Sequence, residues 1–223
     1  MNGIRVLVFD VGETLIDESR IWSRWADRLG VTRLTMLGAI GAMAASDRSH
    51  RDALLLVRPD LDVEAELAAW RREDPDGLRE NFDADDLYPD VRESLGALRR
   101  AGYRVVIAGN QPAQAGPALE AMDLPVDAIH TSAEWGVEKP DPAFFAKAVA
   151  VAGEEPARVL YVGDRLDNDV LPARAAGMRT ALLRRGPWGF LHATRAEAAL
   201  ADHVIDGLDD LVSLLVRDAA SDG

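Results

Sequence analysis

The chain has 223 residues, with 38 Asp and Glu against 25 Lys and Arg, for a formal net charge of −13. A composition of 48% hydrophobic and 28% charged residues is that of an ordinary globular protein and excludes collagenous or disordered chains. The absence of cysteine excludes disulfides, thiolate nucleophiles and Cys-ligated metal centres, and the acidity argues against general binding to nucleic acid or anionic membrane.

No apolar stretch approaches a membrane span, and the start MNGIRVLVFD lacks the basic and apolar regions of a secretion signal, so a cytoplasmic location is expected. Residues 4–9 are a short apolar, β-branched run that stops at Asp10, the pattern of a buried strand delivering an acid at its carboxyl end. Residues 16–87 break that pattern, with helical spacing over 22–43 and 63–72, and are expected to form a helical insert. Within it Arg20, Arg24 and Arg28 share a helix face, where pairing with Glu18 and Asp27 is favoured over contact with a substrate anion. Trp22, Trp25 and Trp70 are expected in the insert's core.

Asp90 and Glu93 then have capping-box spacing, before a helix that carries Val91, Leu95 and Leu98 and stops at Gly102. Strand-like runs follow at 103–108, leading to Gly109 and Asn110; at 126–129, leading to His130; and at 159–162, leading to Gly163 and Asp164. Two more are read at 180–183 and, weakly, at 203–205. Asp141 and Pro142 open a helix that buries Phe144, Phe145, Ala148 and Val149 and closes at Gly153, while residues 218–223 read as a frayed tail. Alternating strands and helices imply an α/β fold with a parallel sheet covered on both faces. Ligands bind such sheets beyond the carboxyl ends of the strands, where Asp10, Asn110 and Asp164 fall.

Asp10, Asp164 and Asp169 would gather at that end, with Asp167 close by. Crowded carboxylates repel and raise one another's pKa unless a cation lies between them. With only oxygen ligands on offer, magnesium suits them better than zinc. A strand-end carboxylate beside such a cation can attack phosphorus and form an aspartyl-phosphate, and Asp10 is the candidate. Lysine occurs only at Lys139 and Lys147. Lys139, just before a helix, could balance both the acids and a transferring phosphoryl group, whereas Lys147 reads as a solvated helix residue.

Four segments in order, Asp10-Val11-Gly12-Glu13-Thr14-Leu15, Ala108-Gly109-Asn110, Lys139-Pro140-Asp141-Pro142 and Gly163-Asp164 through Asp169, together with the lead-in at 87–91, resemble the motifs of the haloacid dehalogenase superfamily. The resemblance implies a Rossmann-like core at 1–15 and 88–223 and a helical cap at 16–87. It implies Mg²⁺ held by Asp10, the Gly12 carbonyl, Asp164 and Asp169, with Lys139 stabilising nucleophile and phosphate, and Thr14 and Asn110 orienting the phosphoryl group. Two departures stand out. Phosphatases of the family usually carry a second Asp where this chain has Gly12, which keeps the carbonyl but removes general acid/base chemistry, commonly worth ~10²- to 10⁴-fold. Glu13 is adjacent, but on an extended segment it would point to the other side. Gly109 stands where the family offers a hydroxyl donor.

The resulting expectation is a Mg²⁺-dependent phosphatase for a small phosphorylated metabolite, a monomer or homodimer, weakened by Gly12, with its cap closing over the substrate. A non-catalytic phosphate- or metal-binding module working with a partner protein is the alternative. A 2-haloacid dehalogenase is the third reading, disfavoured by the intact acidic motif from Asp164 to Asp169. A phosphonate-cleaving mechanism with a cap lysine is excluded, because residues 16–87 contain no lysine.

Overall fold

Six short strands, β1 (Val6–Phe9), β2 (Arg104–Gly109), β3 (Ala128–Thr131), β4 (Val159–Gly163), β5 (Arg179–Leu183) and β6 (His203–Ile205), form one sheet in the order β3-β2-β1-β4-β5-β6. Every neighbouring pair is parallel. The computed structural model describes residues 3–221, with the side chains of 3–216. All six expected strands are present, and the fold is a Rossmann-like α/β fold. The chain divides into two compact units, Met1–Asp17 with Leu87–Gly223, and Glu18–Asp86.

The sheet is buried on both faces. Val6, Val8, Val106, Ala108, Val159 and Tyr161 line one face, while Leu7, Phe9, Val105, Ile107, Leu160 and Val162 alternate with them and are equally inaccessible. This explains why the strands read as continuous apolar runs rather than alternating ones. Strand numbering runs one way from β1 to β3 and the other way from β4 to β6, so the order reverses between β1 and β4. That reversal opens a crevice at the carboxyl ends of the strands, and β1 and β4 run directly into Asp10 and Asp164. The ladder continues one residue further, since the Asp10 N–H donates to the Val162 carbonyl at 2.9 Å.

The unit Glu18–Asp86 holds α1 (Ser19–Leu29), α2 (Arg33–Ala45), α3 (Asp52–Val57) and α4 (Val63–Glu73). The run expected over 22–43 is two helices, because Gly30 adopts φ +70° as the left-handed stop of α1 and Thr32 caps α2 by accepting the Thr35 N–H at 3.1 Å. Trp22, Trp25 and Trp70 are buried as expected, with the rings of Trp25 and Trp70 edge-on at 5.2 Å. The three arginines are structural, but their partners differ from the expected ones. Arg20 pairs with Asp83 and Asp86 at 3.2 Å, Arg24 donates to the carbonyls of Arg79 and Asn81, and Arg28 pairs with Glu66 at 2.6 Å and with Glu73. Long side chains on one face reach other segments of the unit more readily than the residues beside them; Asp27 instead meets Arg33, and Glu18 accepts from the Trp22 indole.

The sheet unit adds α5 (Val91–Arg100), α6 (Ala115–Ala121), α7 (Ser132–Trp135), α8 (Pro142–Ala152), α9 (Leu171–Ala175), α10 (Gly186–His192) and α11 (Leu208–Ser221). The α8 helix starts and stops as read, with the Asp141 carboxylate accepting the Ala143 N–H at 2.8 Å and Gly153 at φ +67°. Its Phe144 and Phe145 pack on the face formed by Val8, Val106 and Tyr161, and Lys147 is exposed. The capping box at Asp90 does not form. Asp90 Oδ2 instead accepts the Leu208 N–H at 2.8 Å and pairs with Arg185, a tertiary use stronger than a local one because the guanidinium is itself nearly buried. The tail expected to fray is helical through Ser221, and residues 222–223 lie outside the described residues. No helix of the described residues is long and apolar enough to cross a membrane.

Candidate active site

Asp10, Asp164 and Asp169 are all buried, and each offers a carboxylate oxygen within 4.8 Å of the others. β1 and β4 place the first two. The third is brought back by a π-helical turn, Leu166–Val170, in which Asp169 Oδ2 accepts the Arg165 N–H at 2.9 Å. Gly163 is the residue that permits this return, since a Cβ there would stand 2.4 Å from Asp169 Cγ. Asp167, expected nearby, is exposed and gripped by the Arg165 guanidinium at 3.0 and 2.6 Å.

Lys139 enters the same cluster. Its side chain is fully inaccessible, and Nζ lies 2.7 Å from Asp10 Oδ1 and 2.5 Å from Asp169 Oδ1. Burial works against its charge, but the two carboxylates outweigh it and hold the ammonium well above the usual lysine range. Beneath it lies Tyr161, whose ring centroid is 5.5 Å from Nζ and whose hydroxyl donates to the Ala108 carbonyl at 2.8 Å. Tyr161 is the end of an aromatic chain through Phe145, Phe144 and Trp135, with ring centroids 5.4, 5.4 and 4.9 Å apart, so the core supports the lysine directly. Neither Tyr161 nor this support was foreseen; only the Phe pair of α8 hinted at it.

Three carboxylates and one ammonium leave a surplus of negative charge in a buried place. Burial, then Asp169, Asp10 and Glu13, push the Asp164 carboxyl well above the ordinary range, and burial pushes Asp169 up to about 6 despite Lys139. The donors are all oxygens, and the charge they lack is that of a divalent cation. Asp10, Asp164 and Asp169 therefore fit a hard divalent metal ion. Thr14, in the loop that follows Asp10, is fully buried, and its hydroxyl has no protein hydrogen-bond partner.

The first loop is held by residues that the sequence reading did not single out. Arg185 donates to the Thr14 carbonyl at 2.9 Å while pairing with Asp90 and lying 4.3 Å from the centre of the Tyr88 ring. Tyr88 donates its hydroxyl to Glu13 Oε2 at 2.6 Å. Glu13 sits at φ +50°, left-handed for a non-glycine residue, and its side chain packs where Gly186 has no Cβ; one there would be 2.6 Å from Glu13 Cγ. Its carboxylate is thus committed to Tyr88, although its charge still reaches Asp164.

Asn110 is present at the end of β2, but its side chain is engaged with the lysine loop. Oδ1 accepts the Lys139 N–H at 2.7 Å and Nδ2 donates to the Lys139 carbonyl at 2.9 Å, so it holds the backbone that presents the ammonium. Gly109 does more than omit a hydroxyl, for a Cβ there would stand 2.4 Å from Asp10 Oδ1 and would displace the carboxylate from its bond to Lys139.

A model of haloacid dehalogenase-like hydrolases matches residues 4–177. The chain belongs to that family. It is therefore a hydrolase, built on the family's sheet and with the family's acidic cluster in place. Among its relatives, a glyceraldehyde 3-phosphate phosphatase of Pyrococcus furiosus is 28% identical over all of this chain and 97% of its own length. Phosphoglycolate phosphatase 1 of Pseudomonas aeruginosa is 29% identical over 93% of this chain and 78% of its own length. A magnesium-bound HAD-hydrolase of Bacillus subtilis shares the fold with a TM-score of 0.68 at 17% identity, covering 95% of this chain and 98% of its own.

Proposed function

We propose that this haloacid dehalogenase-like hydrolase is a Mg²⁺-dependent phosphomonoesterase for a small phosphorylated metabolite, acting through an aspartyl-phosphate on Asp10. The observation that carries this reading is the contact of Asp10 Oδ1 with the buried Lys139 ammonium at 2.7 Å, at the rim where Asp164 and Asp169 converge. Relatives named as phosphatases of three-carbon and two-carbon phosphates support it. The Glu18–Asp86 unit is, in this reading, the helical cap.

Asp10, the Gly12 carbonyl, Asp164 and Asp169 would hold the metal ion, which supplies positive charge to the transferring phosphoryl oxygens. The chain's own residues do the rest. Lys139 holds the Asp10 carboxylate in place through its 2.7 Å contact and draws the phosphoryl group towards it. A carboxylate oxygen of Asp10 attacks phosphorus, the bond from phosphorus to the ester oxygen breaks, and the departing alkoxide takes up a proton from solvent water. Water then attacks the aspartyl-phosphate at phosphorus and gives up a proton to solvent, the bond from phosphorus to the Asp10 oxygen breaks, and the carboxylate and inorganic phosphate are released. Asn110 keeps the lysine loop in register, and the unpaired Thr14 hydroxyl is available to a phosphoryl oxygen.

Gly12 has no side chain to give or take the proton in these steps, and Glu13 is held by Tyr88. Turnover is accordingly slow, and Gly12→Asp is expected to raise kcat at least about 10-fold. A panel of sugar, glycolate and glyceraldehyde monophosphates, assayed for phosphate with Mg²⁺ and with EDTA, tests the whole assignment. Release that needs Mg²⁺ supports it; release indifferent to EDTA, or halide release from 2-haloacids, counts against it. The two missing side chains, at Gly12 and Gly109, favour a second reading as a phosphate-binding module. Tight Mg²⁺-assisted binding of a monophosphate by calorimetry, with no product even after Gly12→Asp, would establish that instead.

A further inference from the structure

His192, the last residue of α10, is completely buried, and its Nδ1 accepts the N–H of Leu166 at 2.9 Å. Leu166 opens the π-helical turn that separates Asp164 from Asp169. An N–H at the start of a helical turn has no acceptor within the turn, and Leu166 lies in an apolar cluster with Val170, Leu182 and Ala198 that offers none either. Two successive N–H groups are therefore satisfied by side chains, that of Arg165 by Asp169 itself and that of Leu166 by His192.

The acceptor role fixes the ring, since Nδ1 must be bare and the proton must sit on Nε2. Asp167 Oδ1 lies 3.9 Å from Nδ1 and would draw a proton there, but its charge is taken up by Arg165, whose guanidinium lies 4.8 Å from the centre of the Trp188 ring. Trp188 and His192 both belong to α10, and Gly186 at its start receives the Glu13 side chain. One short helix thus braces both loops of the acidic cluster.

We infer that His192 is a positioning residue of the acidic loop, which, by accepting the Leu166 N–H, sets the pitch of the turn and with it the spacing of Asp164 and Asp169 on which divalent-cation affinity depends. The inference rests on the metal-dependent reading above. His192 acts through Leu166 and touches no reacting atom.

The test compares the natural chain with His192→Asn, whose Oδ1 can replace Nδ1 as acceptor, and with His192→Leu, which keeps bulk without an acceptor. Mg²⁺ alone is titrated calorimetrically into each full-length protein, with circular dichroism as the check on folding. Expected is an affinity about 10-fold weaker in His192→Leu and restored to within about threefold in His192→Asn. Unchanged affinity in His192→Leu overturns the inference, and so does an equal loss in both variants, which would assign the effect to ring packing. Should His192→Leu fail to fold, nitrogen-15 NMR of the natural chain decides: a coupling across the hydrogen bond between the Leu166 amide and Nδ1 supports the inference, and a protonated Nδ1 overturns it. If the natural chain binds no Mg²⁺, the metal reading fails, while the NMR result still decides whether His192 holds the turn.

Discussion

Asp10→Asn is expected to lower phosphate release by at least about 10⁴-fold while leaving the protein folded. The amide has the shape of the carboxylate, so the end of β1 and its N–H bond to the Val162 carbonyl are undisturbed. It also removes one negative charge from a cluster that has too many, so stability has no reason to fall. What disappears is the electron pair that attacks phosphorus. Two measurements check this. Steady-state phosphate release reports the loss, and acid quenching with a labelled substrate reports an acyl phosphate, labile to hydroxylamine, in the natural chain and none in the variant. Phosphate release that survives Asp10→Asn would sink the covalent mechanism, whichever substrate is used.

Replacing the buried lysine should cost stability rather than chemistry alone. Lys139→Met keeps the length and packing of the side chain over Tyr161 but removes the ammonium that contacts Asp10 and Asp169, at 2.7 and 2.5 Å. Leaving buried charges unpaired costs about 3–5 kcal/mol, a fall in thermal midpoint of roughly 10 °C for a chain of this length in EDTA. Added Mg²⁺ should recover part of that loss, because a cation bound to the folded state alone stabilises it by mass action. Asp164→Asn should have the opposite sign in EDTA. Burial and the neighbouring acids already push that carboxyl towards its neutral form, so a neutral isostere relieves repulsion and raises the midpoint while abolishing the gain from Mg²⁺. Differential scanning calorimetry with and without the cation reads both. A Lys139→Met protein that melts with the natural chain would mean that the ammonium does not hold the acids together.

Much of this was legible from the chain because the signals were local and strong. A parallel sheet buried on both faces needs continuous apolar runs, so β1, β2 and β4 announced themselves and their next residues, Asp10, Asn110 and Asp164, followed. Lys139 stood out for a different reason, as one of two lysines among 25 basic residues, placed beside a helix start. Where the reading went astray, a long-range partner had outcompeted a local one. Asp90 could cap its own helix but meets Arg185 and the Leu208 N–H; Arg20 and Arg28 could pair along their helix but reach acids 63 and 38 residues away in sequence, Asp83 and Glu66.

From its amino-acid order alone, this protein had its strand ends, its acidic residues, its lack of thiols and the loss of a side chain at Gly12 already determined, because each depends only on residue type and near-neighbour periodicity. Only the tertiary structure decided what those groups can do together. Whether the three carboxylates converge, whether Lys139 is stripped of water between two of them, and which side chains hold the loops, namely Tyr161, Arg185, Tyr88 and His192, depend on distances between segments far apart in the chain. Charge interactions and hydrogen bonds fall off over a few ångströms and strengthen as solvent is excluded, so they act on spatial neighbours, which only the folded chain creates.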